Sequence, residues 1–181
     1  MIKYIVKDLT AAIAYLPYGI VAGIVVVLLL SLINDRRVRK GKPPFCVCAI
    51  TALLMYMFII LCITFLSRES GSGNGTGIDM EFFSTWGIND RNNAYVVENI
   101  LLFVPYGVLF PWAFKDARNF LSSLMSGVAI SLGIECMQLF TARGFFQIDD
   151  ILTNTFGTVL GYLVFKVWDW ICRKVKAGRE T

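Results

Sequence analysis

Apolar positions fall in long runs along this chain, and polar positions collect between them. From about residue 11 to 33 there is no charged side chain, and a second uncharged run covers about 45 to 66. Three further apolar runs cover about 94 to 114, 121 to 140 and 151 to 171. Each is close to the roughly 20 residues that a helix needs to cross the hydrocarbon core of a bilayer. The first run is longer than the apolar core of a signal peptide, and no clear small-residue cleavage pattern accompanies it. The pattern predicts an all-α protein: one polytopic integral membrane bundle over residues 1–181, with about five transmembrane helices. Pro17 and Gly19 lie near the start of the first run, where a helix tolerates them.

Composition agrees. Hydrophobic residues make up 56% of the 181 and charged residues 17%, with mean hydropathy +0.64. A soluble domain carries about 25% charged residues, so this chain has too little polar surface to cover a water-facing fold of its size. The net charge of +4 does not point to nucleic acid, because the basic residues sit in short loops beside apolar spans. Arg36, Arg37, Arg39, Lys40 and Lys42 follow the first span, and Arg173, Lys174, Lys176 and Arg179 follow the last. The positive-inside rule makes both segments cytoplasmic. The long polar stretch 67–93 carries more acids than bases and alternates glycine with small polar residues from Gly71 to Gly77. It reads as a flexible outer loop, with the aromatic segment 80–86 resting at the interface. The expected orientation in the cell membrane has the N-terminus outside and the C-terminus inside. Residues 1–9, which include Lys3 and Lys7, read alternatively as an interfacial helix.

Candidate chemistry is limited by what is missing. There is no histidine, hence neither the commonest general base nor the commonest zinc ligand. Cys46, Cys48, Cys62, Cys136 and Cys172 lie in or beside apolar segments without zinc-type spacing and read as small core residues. No cofactor or metal pattern is present. Polar residues nevertheless gather at the outer ends of the spans: Arg68 after the second, Glu98 and Asn99 in the third, Glu135 and Gln138 in the fourth, and Asp149, Asp150 and Asn154 at the start of the fifth. Glu135 and Gln138 are three apart and share a helix face. Asp150 and Asn154 are four apart, and Gly157 and Gly161 continue their stripe inward as a Gly-xxx-Gly pair that admits another helix closely. Glu135 lies about 7 Å inside the end of its helix at 1.5 Å per residue. An acid there usually faces a partner or a wet cavity, with Arg68 and Arg143 as the nearest candidate cations. Pro105 and Gly107 should kink or loosen the third span, either opening a cavity below Asn99 or simply packing.

At these residues the chain resembles the VanZ family. The resemblance rests on the run from Asn99 through Phe103 and Pro105 to Gly107, on Glu135-Cys-Met-Gln138, and on Asp150 through Asn154 to Gly157, with Ser67-Arg68-Glu69 in support. It covers roughly residues 45–170. It implies a place at the Gram-positive cell envelope and a link to low-level resistance to teicoplanin, a lipid-bearing glycopeptide antibiotic. Two departures stand out. Gln147 occupies a position that is often acidic in relatives, and Thr158 replaces a second glycine, which implies looser helix packing.

Three functions follow as expectations. The first is a non-enzymatic module that engages an amphiphile at the outer leaflet: a lipoglycopeptide tail, a membrane lipid or a lipid-linked wall precursor. Arg68, Asn99, Glu135, Gln138, Asp150 and Asn154 would line its head-group site. The second is a membrane enzyme that modifies an envelope lipid or precursor, with Glu135 and Asp150 as candidate catalytic acid and base. The third is a structural or partner protein using its small residues, Ser122, Ser123, Ser126, Gly127, Ser131 and Gly133 among them, for tight helix packing.

Overall fold

The computed structural model describes residues 1–66 and 77–179, without the side chains of Leu9, Ala11, Ala12 and Leu66. Five helices are long and apolar enough to cross a membrane. These are α2 (Leu16–Arg39), α3 (Val47–Leu61, prolonged by a π-helical turn Cys62–Leu66), α4 (Asp90–Ala113), α5 (Phe120–Phe140) and α6 (Ile148–Ala177). A shorter amphipathic helix, α1 (Ile2–Ile13), precedes them. The first span therefore starts at Leu16 rather than near residue 11, with Pro17 in its first turn, where a missing N–H costs no helical bond. The last span runs to Ala177, beyond the expected 171.

The surface is inverted relative to a soluble protein. Val21, Val25 and Leu28 on α2 and Leu163, Val164 and Val167 on α6 are all exposed, while Glu135, Gln138 and Asn154 are no more than 3% exposed. Lipid is the solvent that such a surface matches. The cysteines depart from expectation. Only Cys62 is buried, whereas Cys46 and Cys48 are exposed and Cys136 and Cys172 are half-buried. A thiol is a small hydrophobe, so an apolar outer surface accepts it as readily as a core does.

Capping fixes where the helices begin. The Asn89 side chain accepts from the N–H groups of Arg91 and Asn92, and Asn119 accepts from Ser122 N–H. Asp149 and Asp150 fall in the first turn of α6, where negative charge complements the helix dipole.

The tightest seam joins α4 to α6. A side chain on Gly157 would strike the Ile100 carbonyl, one on Gly161 the Val104 carbonyl, and one on Gly107 the Thr158 carbonyl. Without side chains there, the two backbones touch. Pro105 and Pro111 do not interrupt α4, which runs as one helix. The space that Gly107 vacates is filled by α6 backbone, so the packing alternative holds at that position. Thr158 does not loosen the seam either. It is fully buried, its hydroxyl donates to the Asn154 carbonyl at 3.0 Å, and its side chain occupies the hollow over Gly127 of α5.

Candidate functional site

Alternation of the spans puts five segments at one end of the bundle: the π-helical turn, residues 77–89, and the start of α4, end of α5 and start of α6. Asn99, Glu135, Gln138, Asp149, Asp150 and Asn154 all lie at this end. Hydrogen bonds link Asn99, Asp150 and Asn154, and tie Glu135 and Gln138 to neighbouring backbone. Asn99 Nδ2 donates to Asp150 Oδ1 at 2.8 Å, joining α4 to α6. Asn154 Nδ2 donates to Ser131 Oγ at 2.9 Å, and the Ser131 hydroxyl reaches the Asp150 carbonyl at 3.4 Å, joining α6 to α5. Glu135 Oε2 accepts the Gln147 N–H at 2.9 Å, so a carboxylate of α5 fixes the residue that leads into α6. Gln138 Nε2 donates to the Thr64 carbonyl at 2.8 Å, tying α5 to the π-helical turn. Such a turn has carbonyls outside the regular α-helical ladder and often marks a functional position.

Two acceptors in this network are left without partners. Gln138 Oε1 and Asn154 Oδ1 are buried and receive no hydrogen bond from the described residues. A buried polar atom without a partner costs roughly 1–3 kcal/mol, so the network stores two unused bonding positions beside the carboxylates of Glu135 and Asp150.

Asp149 has a separate role. Its carboxylate accepts from Phe83 N–H at 2.7 Å and Thr85 N–H at 3.0 Å, with the Ser84 hydroxyl at 3.5 Å. Asp79 accepts from the Ser84 hydroxyl at 2.8 Å and from Glu81 N–H at 3.0 Å. Ile78 and Asp79 pair in parallel with Phe146 and Gln147 in a two-residue ladder. Thus 77–89, expected to be a flexible loop, is folded onto the start of α6 by carboxylates that accept its backbone.

One expected member is elsewhere. Glu98 faces α1, with its carboxylate 3.8 Å from Arg91, which itself pairs with Asp8 at 2.7 Å. It neighbours Asn99 in sequence but points about 100° away around the helix. Arg143 stacks over the Phe65 ring at 5.1 Å. Arg68, with Ser67 and Glu69, lies outside the described residues. Ser131, Thr64, Ser84 and Thr85 belong to the site although sequence reading did not single them out as such. Ser131 alone carried a signal, four residues before Glu135 on the same helix face.

Comparison with known proteins gives two findings. A family model described as VanZ/LLP1 matches residues 49–169, about two thirds of the chain and nearly all of the network. Protein VanZ from Enterococcus faecium is 33% identical over 74 residues, which are 41% of this chain and 45% of that protein. The match thus spans less than half the length of this relative. No solved structure matches.

Proposed function

This chain belongs to the VanZ/LLP1 family, and from that premise we propose that it acts at the bacterial cell envelope by engaging an amphiphile, lowering susceptibility to lipid-bearing glycopeptides such as teicoplanin. One observation carries the reading. Asn99, Glu135, Gln138, Asp150 and Asn154 converge from three spans on one end of the bundle, and two of their amide oxygens have no partner among the described residues. A bundle that needed only cohesion gains nothing from unpaired buried acceptors. A donor-bearing head group, such as an amine or a hydroxyl, would satisfy them. In this reading the network end faces outward. The basic segments after α2 and α6 face the cytoplasm, as the positive-inside rule requires, and the C-terminus lies inside.

The second reading is a membrane enzyme, favoured by the same burial. A carboxyl group as enclosed as Glu135 is suited to proton transfer in a site shielded from water. Envelope lipids and wall precursors compared by mass spectrometry between expressing and non-expressing cells test it; identical profiles remove it.

The main test is susceptibility. The chain, Glu135→Gln and Asp150→Asn are expressed at matched membrane abundance in a glycopeptide-sensitive host, and teicoplanin and vancomycin are tested in parallel. Protection selective for teicoplanin and lost in both variants is the expected result. No protection by the wild type at matched abundance refutes the antibiotic link.

A further inference from the structure

A groove of about 510 Å³ opens on the flank of the bundle, beside the buried network but separate from it. Its walls are Val96 and Ile100 of α4 and Leu152 and Phe156 of α6, and Phe83 and Trp86 of the folded loop form its roof. We propose that it holds one alkyl chain of a membrane amphiphile with an amine-bearing head. This proposal rests on the function inferred above and gives that amphiphile's tail a seat.

The roof is built, not merely draped. Phe83 has φ 62°, a left-handed conformation that is costly for a bulky side chain and usually marks a functional constraint. Asp149 holds it there through the N–H groups of Phe83 and Thr85. The outcome is two exposed aromatic rings, Phe83 at 76% and Trp86 at 55%, fixed over a groove between two membrane-spanning helices. A tryptophan such as Trp86 suits the membrane interface, with its apolar ring in lipid and its N–H near water.

The walls select an alkyl chain. Besides apolar residues the described lining contains only Asp149 and Thr153, and both are already bonded. The Thr153 hydroxyl donates to the carbonyls of Asp149 and Asp150 at 2.9 and 3.2 Å, and the Asp149 carboxylate is taken by the loop. Water in the groove would find few partners, and a site without polar partners excludes it. The volume lies within the range of ligand pockets, about 300–1,000 Å³. Charge selects the head. Among the described residues no lysine or arginine lines the groove, while the roof segment contributes Asp79 and the exposed Glu81. An amine complements the acidic residues of that roof segment, and a head with net negative charge is repelled.

Full-length protein in phosphatidylcholine nanodiscs, containing phosphatidylethanolamine with a diazirine in mid-chain, provides the test. After photolysis, labelled peptides are mapped by mass spectrometry. Label is expected to concentrate on residues 96–100 and 152–156 rather than on the exposed α2 residues Val21 and Val25. Val96→Trp or Leu152→Trp should lower it about tenfold, roughly the effect of losing two buried methylene groups. Val25→Trp should leave it unchanged. Equal labelling of α2, or groove labelling unchanged in tryptophan variants that remain helical and monodisperse, overturns the proposal. If those variants do not fold, competition on the wild type decides. Excess unlabelled phosphatidylethanolamine at constant total lipid must reduce the groove label, and failure to do so refutes a specific site. Chain-to-chain crosslinks through groove residues would make a second copy the occupant and also overturn it. A diazirine phosphatidylglycerol that labels equally well overturns the assignment of the head. The outcome separates from susceptibility testing. Groove labelling without teicoplanin protection keeps the site and removes the antibiotic link, and protection without labelling does the reverse.

Discussion

Glycine substitutions with opposite signs test the helix packing most directly. Gly161 sits where α6 touches α4, and an added Cβ there would meet the Val104 carbonyl and lie 2.8 Å from Gly107 Cα. Those neighbours are backbone atoms of a helix and cannot rotate away. Overpacking costs about 1–3 kcal/mol, and the rigid surroundings put Gly161→Ala toward the upper end. Alanine's better helix propensity returns about 1 kcal/mol, leaving a net loss of about 2 kcal/mol. That corresponds to a fall of about thirtyfold in the folded-to-unfolded ratio. Gly133 lies on α5 with nothing within 4 Å of an added Cβ, so Gly133→Ala keeps the propensity gain and should stabilise by up to about 1 kcal/mol. Both are measured by equilibrium unfolding in mixed micelles with increasing sodium dodecyl sulfate, followed by circular dichroism and the fluorescence of the four tryptophans. If Gly161→Ala is as stable as wild type while Gly133→Ala behaves as expected, the close α4–α6 approach is wrong. Equal destabilisation by both would mean that the burial of α5 is wrong.

Asp149→Ala removes the acceptor of the Phe83 and Thr85 N–H groups. Bonds to a charged group are worth about 1.5–3 kcal/mol each, so amide exchange in residues 80–88 should accelerate at least about tenfold. Unchanged exchange would show that the loop is ordered by something else. Arg91→Leu removes the 2.7 Å pair with Asp8 and the stacking on Tyr4 and Tyr95. Both side chains of the pair are one-third exposed, so screening limits the loss to about 0.5–1 kcal/mol. Faster exchange confined to α1 is expected, and faster exchange throughout α4 would contradict the peripheral docking of α1. Gln138→Met gives up the bond to the Thr64 carbonyl but also removes an unpartnered buried oxygen. These effects oppose one another, so stability should change by less than about 1 kcal/mol while teicoplanin protection falls. A variant that retains full protection would exclude Gln138 from the site.

The five spans were legible because hydropathy over some 20 residues needs no tertiary information. Helix α1 was harder to read: at 12 residues it is too short to span and was recognisable only as an amphipathic possibility. Within the site, the pairs Glu135–Gln138 and Asp150–Asn154 followed from helical spacing, which fixes the face before any neighbour is known. Spacing does not say what a face meets. Glu98 and Asn99 were grouped because they are adjacent, yet adjacency on a helix means divergence, and they serve different neighbours. The loop 77–89 was illegible for another reason. Its glycine-rich approach resembles a linker, and its order depends on Asp149, more than sixty residues away. Nothing local in Glu-Phe-Phe-Ser announces that Phe83 adopts a positive φ, because that conformation is imposed from outside.

Adjacency also explains how the groove and the network can act together. Asp149 and Asp150 are consecutive, so their side chains leave α6 about 100° apart. One carboxylate holds the aromatic roof and the other meets Asn99 in the buried network. The Thr153 hydroxyl spans the carbonyls of both aspartates, and the Gln147 N–H immediately before this turn is held by Glu135. The first turn of α6 is thus bonded on three sides: to the loop, to α4 and to α5. A tail that lifts the roof pulls on Asp149, and a head group that competes for Asp150 or Asn154 pulls on the same turn from the other side. Below it, the glycine seam with α4 leaves no slack for the helix to absorb either displacement. An amphiphile of the proposed kind, with its tail in the groove and its head at the network, would couple the two places through these few residues.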